Sequence, residues 1–260
     1  MAEDFGVPGP EKIGYYGQVA ESTAGRDYKR ELLAALDLHP GQTVLDAGCG
    51  PGTDLAAMAA LVADTGTVIG VDLDPAMVAE ACRRTAGTPT IEVRHGDAHA
   101  LPVDTASVDR VRADRMVQHV ADPAGVFAEF HRVLRPGGLA CVAEPDWDTL
   151  VVDPGDLATT RAFNRFVCDT MVRNATAGRR LAGLAERAGL RVLAVRPTAP
   201  VFRDFAVADK ILGLSRNAER AVRGGHLDRD AADRWISGMR DGPFLATSLL
   251  FTVVAAKPGG

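Results

Sequence analysis

The chain has 260 residues, 47% of them hydrophobic and 24% charged, enough apolar mass for one sizeable α/β core. With 34 acidic against 29 basic residues its net charge is −5, which argues against a broad nucleic-acid-binding face. No apolar run reaches the length of a membrane span, and the acidic, Pro- and Gly-rich start "MAEDFGVPGPEK" carries no secretory h-region. The four cysteines, Cys49, Cys82, Cys141 and Cys168, form no C-x-x-C pair. A reduced cytoplasmic compartment without a metal site is therefore expected, the cysteines acting as small buried hydrophobes except where Cys49's position gives it another use.

In chain order, residues 1–14 read as an arm and about 18–37 as a helix stopped by Pro40 and Gly41. "TVLDAG" reads as a buried strand, followed by a helix opening at Thr53 or Asp54 with Leu55, Met58, Ala59 and Val62 on one face. "TVIGVDLD" is a second strand. Asp74-Pro75 is a cap with a first-turn proline, opening a helix with Met77, Val78, Ala81 and Cys82 inward. "TIEVRHGD" and "VDRVRAD" follow as strands, and Asp122-Pro123 repeats the cap before a helix carrying Val126, Phe127, Phe130, Val133 and Leu134. "LACVAEP" is a fifth strand. "DWDTLVVDPGD" then reads as a loop, about 157–175 as helix, "RRLAGLAERAGL" as a short helix closed by Gly189, and "RVLAVRP" as a sixth strand. Residues 206–241 hold two polar helical stretches before a last strand in "FLATSLLFTVVAAKP". Strands alternating with helices predict a doubly wound, mostly parallel sheet with helical insertions. One domain is expected, divided into an N-terminal arm and helix (1–40), a core (42–145) and a substrate-side region (146–260).

The run Gly48-Cys49-Gly50-Pro51-Gly52 after the first strand lets a ligand approach the main chain at the carboxyl edge of a parallel sheet. Asp72, ending the second strand, suits the two hydroxyls of a ribose. These features fit a dinucleotide or a nucleoside-type cofactor. The dinucleotide pattern G-x-G-x-x-G fails at its third position, which holds Thr53, and Pro51 removes an N–H that a phosphate would use. Asp46, pointing toward the turn, would repel a pyrophosphate and suit an ammonium group. A side chain at Gly48 is expected to fill ligand space at little cost in stability.

Together, "VLDAGCGPGT", "VIGVDLDPAMV", "HGDAHALP", "SVDRVRADRMVQHVADP" and "VLRPGGLACVAEP" resemble the class I S-adenosylmethionine-dependent methyltransferases, in the branch of menaquinone/ubiquinone-type and small-metabolite enzymes. The resemblance covers about residues 42–145, with weaker matches beyond. It implies a Rossmann-like seven-stranded sheet with a reversed last strand, S-adenosylmethionine as donor and S-adenosylhomocysteine as product. By the same resemblance Asp46, Gly48, Cys49 and Gly50 surround the methionine moiety, with Arg26 near its carboxylate. Asp72 holds the ribose, Leu73 and Met77 face the adenine, and Asp97 accepts from its amino group beside Ala98. The segment Asp114–Gln118, including Arg115 and Gln118, lines the methionine part.

Methyl transfer needs positioning and desolvation, and a base only where the acceptor is protonated. His119 is the base candidate among six histidines, with Tyr15 or Tyr16 folding over from the arm; the bland alternative for His119 is ordering its loop. Glu144, Asp146 and Trp147 are expected on the substrate side, and Phe163, Phe166 and Met171 as a wall for an apolar acceptor. The expected partners are a small-molecule acceptor and a second copy of the chain, with neither nucleic acid nor membrane. Two other readings stand beside the methyltransferase: a nicotinamide-dependent oxidoreductase, and a module that binds S-adenosylmethionine without turning it over.

Overall fold

The structure, a computed structural model, describes residues 23–153 and 155–259, with only the backbone described over 23–27. Helix α1 (Thr23–Ala35) leads to β1 (Thr43–Ala47), and the expected helix over 18–37 ends at Ala35, ahead of Asp37 at φ +49°. Then come α2 (Leu55–Val62), β2 (Thr67–Asp72), α3 (Pro75–Thr85), β3 (Ile91–His95) and β4 (Val108–Asp114). A 3₁₀ turn (Val117–His119) precedes α4 (Pro123–Val133) and β5 (Leu134–Asp153). The C-terminal half adds α5 (Leu157–Phe166), α6 (Ala177–Arg187), β6 (Arg191–Thr198), β7 (Val201–Phe202), α7 (Phe205–Leu212), α8 (Leu214–Arg223), α9 (Arg229–Asp241) and β8 (Leu245–Ala256).

The strands form one mostly parallel sheet in the order β3-β2-β1-β4-β5-β8-β6, with β8 antiparallel to both neighbours and β7 a short eighth strand on β8. This is the expected doubly wound architecture, one small strand larger. β1 is buried from Val44 onward, the mark of a parallel strand covered on both faces. One face packs Leu45 and Val111 against Phe127 and Phe130 of α4 and Leu181 of α6. The other packs Val44 and Val68 against Leu32 of α1 and Leu55 and Met58 of α2.

The two Asp-Pro helices begin as their sequences predict, with Asp74 and Asp122 accepting from Ala76 N–H and Ala124 N–H. The buried face of α3 is Met77, Ala81 and Thr85, so Cys82 is exposed where an inward position was expected. Cys168 is half-buried.

Past Pro145 the expected loop is strand. β5 runs on to Asp153, irregular between Asp146 and Val151, because Val151–Asp153 pair with Thr247–Leu245 of β8. This ribbon carries Trp147 and Leu150 into a third cluster with Phe163, Leu214, Trp235 and Phe244. There Phe163 and Trp235 lie 4.8 Å apart, and the Trp235 indole N–H donates to Thr160 Oγ1. The helix expected over 157–175 is α5 plus one π turn (Val167–Met171). The two expected helical stretches in 206–241 are three, since Gly213 in the left-handed region (φ +65°) separates α7 from α8. Among the described residues no helix is long and apolar enough to cross a membrane.

Candidate functional site

The strand order reverses direction beside β1, and a crevice forms outside the carboxyl ends of strands at such a switch point. Here the crevice is a cavity of about 610 Å³, within the usual size of a small-molecule site. Its glycine turn is strapped to β2. Gly48 N–H and Cys49 N–H donate to Val71 O at 2.8 and 3.0 Å, and Gly50 N–H donates to the Asp72 carboxylate at 2.8 Å. The second Asp72 oxygen accepts from Asp74 N–H.

The three glycines serve different ends. Gly48 (φ +73°) has no room for a Cβ, which would lie 2.5 Å from the Met116 side chain. A substitution there would clash inside the protein before meeting a ligand, which corrects the expectation of a small stability cost. Gly52 (φ +75°) admits Ala81 and Leu55 at close range, so its role is packing α3 on α2. Gly50 (φ +54°) lines the cavity with nothing within 4 Å of a would-be Cβ. It is the glycine that leaves ligand space.

Of the other residues expected at the site, Leu73, Met77, Asp97 and Ala98 line the cavity toward β2 and β3, Cys49 lines it from the turn strapped to β2, and Arg115 and His119 line it toward β4. Burial, with Asp46 and Asp72 nearby, holds the Cys49 thiol far above its ordinary range, so it is an inert wall. Asp97 is largely exposed and caps its own loop, accepting from His99 N–H at 2.9 Å and from His99 Nδ1 at 2.6 Å. His99 Nε2 accepts from Asp122 N–H, so the ring proton sits on Nδ1, facing Asp97. The backbone bond from His99 holds the Asp97 carboxyl below the usual range.

Asp46 departs from expectation. Its carboxylate is buried and bonded to Arg112 Nη1 at 2.8 Å, away from the cavity. Arg112 is the centre of a charge cluster that lines the cavity through Arg112, Asp54, Asp114 and Lys29, and it also bonds Asp54 at 2.8 Å and Asp114 at 3.0 Å. Lys29 of α1 reaches Asp54 at 2.6 Å, and the Tyr28 hydroxyl donates to Asp114 at 3.3 Å. Burial lifts Asp46 to about 6 against the pull of Arg112. For Arg112 the burial penalty is outweighed by the three carboxylates, which hold the guanidinium well above its ordinary pKa. At Asp54 burial is likewise outweighed by Arg112 and Lys29, and its carboxyl falls. Tyr28, Lys29, Asp54 and Arg112 were missed in the sequence; their signal is arginine at alternate positions inside "VDRVRAD", a strand otherwise reading as buried.

On the β4 side the wall is lined by Met116 and by His119, which closes the turn Val117–His119. Gln118 does not line the cavity; it is buried, and its Oε1 accepts from the Trp147 indole N–H at 2.8 Å. Glu144 and Asp146, expected to face a substrate, are fully buried. Asp146 is held by Arg179, and Glu144 accepts from Val117 N–H at 2.5 Å. Phe163 and Phe166 sit in the core of the third cluster, with Met171 packed against it. Tyr15 and Tyr16 lie outside the described residues, as does the side chain of Arg26.

The family model for a "Methyltransferase domain" matches residues 45–142. The chain is 50% identical over 246 residues to an uncharacterized 37.1 kDa protein in transposon TN4556 of Streptomyces fradiae, covering 95% of this chain and 71% of that one. It is 31% identical over 123 residues to a demethylmenaquinone methyltransferase of Staphylococcus epidermidis, spanning 47% of this chain and about half (51%) of the relative. A solved S-adenosylmethionine-dependent methyltransferase from Aquifex aeolicus superposes with a TM-score of 0.58 at 17% identity, over 95% of this chain and 98% of that one, a likeness of fold.

Proposed function

Because the chain belongs to the class I S-adenosylmethionine-dependent methyltransferases, we propose that it transfers a methyl group to a small-molecule acceptor presented beside His119. The observation that carries this reading is the closed arrangement of Gly50 and Asp72. A carboxylate ends β2, a backbone N–H braces it, and the Cβ space of the bracing glycine is open to the cavity. These residues fit the family's donor: Asp72 suits its ribose hydroxyls, Leu73 and Met77 its adenine, and the turn with Arg115 its methionine part. Bound there, S-adenosylmethionine supplies an electrophilic methyl on sulfur.

The chain's own contribution is to orient the two partners and exclude water. For a protonated acceptor, His119 takes the proton from the attacking hydroxyl or ammonium. The nicotinamide reading is not favoured, since Asp54 at the N-cap of α2 lines the same cavity and sets a carboxylate where a pyrophosphate would seek the helix N-terminus.

Calorimetry with S-adenosylmethionine and S-adenosylhomocysteine tests the reading. Asp72→Ala should weaken both by about 2 kcal/mol or more, since two hydroxyls lose a charged acceptor; a folded variant with wild-type affinity removes Asp72 from the donor site. A pure binding module would take up donor yet release no S-adenosylhomocysteine with any acceptor in a metabolite screen.

Gly50→Ala gives a second, steric expectation. Its left-handed backbone should cost about 1–2 kcal/mol of stability, while its methyl group, meeting no protein atom, weakens S-adenosylhomocysteine binding. Normal affinity in Gly50→Ala would mean the ligand does not approach the main chain there.

A further inference from the structure

We propose that Glu144 is a positioning residue for the transfer site: from β5, one residue past the last pairing with β4, its side chain carries the Met116–His119 turn from beneath, and so places the wall that faces donor and acceptor. The proposal rests on the reading that this cavity holds the donor and that His119 meets the acceptor. Glu144 itself touches neither, being fully buried and outside the cavity lining.

The first amides of a helical turn have no partner within it. Here Glu144 Oε1 accepts from Val117 N–H at 2.5 Å. A side chain from the neighbouring strand thus acts as the N-cap that the 3₁₀ turn lacks, since Met116 provides no capping bond. Two further holds come from below. Asn174 Nδ2 donates to Val117 O and Val120 O, and Trp147 to Gln118. Above, the same turn presents Met116 and His119 to the cavity, with Met116 filling the space that Gly48 leaves. A shift of the turn therefore moves the cavity wall and His119 together.

Glu144 Oε2 is buried with no hydrogen-bond partner. An unpaired carboxylate oxygen is costly in such a place. Burial, against the pull of the Val117 amide, pushes the acid up to about 8, with Asp114 as the charged neighbour adding to the rise. The rise favours the neutral acid, and Oε1 is the oxygen that accepts from Val117 N–H. A glutamine offers the same acceptor, whereas aspartate is one methylene too short.

Amide hydrogen exchange on the full chain reads the hold directly. In Glu144→Asp and Glu144→Ala, exchange at residues 116–119 should rise by about tenfold or more while β1 and β2 keep wild-type protection. Glu144→Gln should stay within about threefold of wild type there, and the two releasing variants should bind S-adenosylhomocysteine more weakly. Wild-type protection in a folded Glu144→Asp, or release in Glu144→Gln equal to that in Glu144→Asp, overturns the proposal. If Glu144→Ala does not fold, the aspartate and glutamine variants decide. Failure of the wild-type protein to bind S-adenosylhomocysteine would reject the functional reading, while the exchange comparison still judges the hold on the turn.

Discussion

Arg112→Leu is expected to destabilise the protein by about 3–5 kcal/mol, the scale for removing one partner of a buried ion cluster, as read from the urea midpoint. The guanidinium pairs with Asp46, Asp54 and Asp114 at once, and its side chain is only 3% exposed. Without it Lys29 still reaches Asp54 at 2.6 Å and stands 4.0 Å from Asp114, but Asp46 is left in the sheet with no counter-charge. That inequality makes a second measurement decisive. Adding Asp46→Asn to Arg112→Leu should recover part of the loss, because much of the cost is the stranded charge and not the missing bond. A loss under about 1 kcal/mol, the scale of an exposed ion pair, would mean the cluster carries little of the fold.

His119→Ala is expected to lower turnover by about 10²-fold, the usual scale for losing a general base, with S-adenosylhomocysteine release as the assay. Donor affinity should stay within a few fold, since an interaction made only during transfer affects turnover alone. His119→Gln, which keeps hydrogen-bonding capacity without a base, should be as slow as the alanine variant. If donor affinity falls in step with turnover, or glutamine restores the rate, His119 orders its loop and catalysis is by proximity.

Features written within a few residues were legible in the sequence. Asp74-Pro75 and Asp122-Pro123 state their helix starts through short-range hydrogen bonds, and the glycine run states a turn through backbone conformation. The extension of β5 was not legible. "DWDTLVVD" is polar and reads as loop until Val151 meets Thr247, nearly a hundred positions away. The split of the α7–α9 region turned on one residue, Gly213. At the site, residues that line the cavity from strand ends were found by their place in the motif, whereas Asp46 was misjudged because its partner Arg112 lies on another strand. Glu144 was misplaced for a related reason: it lies inside the extended β5, and whether it faces solvent depends on the neighbouring turn that covers it.

The position of β8 also has a consequence for how the protein is made. β8 sits between β5 and β6, and among the described residues β6 pairs with no strand but β8. Yet β8 is synthesised after every strand it joins. Until residues 245–256 leave the ribosome, β5 has one bare edge and β6 has no place in the sheet at all. Closure then joins Leu139 to Ala256 across most of the second half of the chain, a non-local step of the kind that slows folding. Throughout that interval the apolar run of β5 offers its open edge to any other nascent strand. Synthesis should therefore lean on chaperones until residues 245–256 emerge, more than while the half that lines the cavity is made.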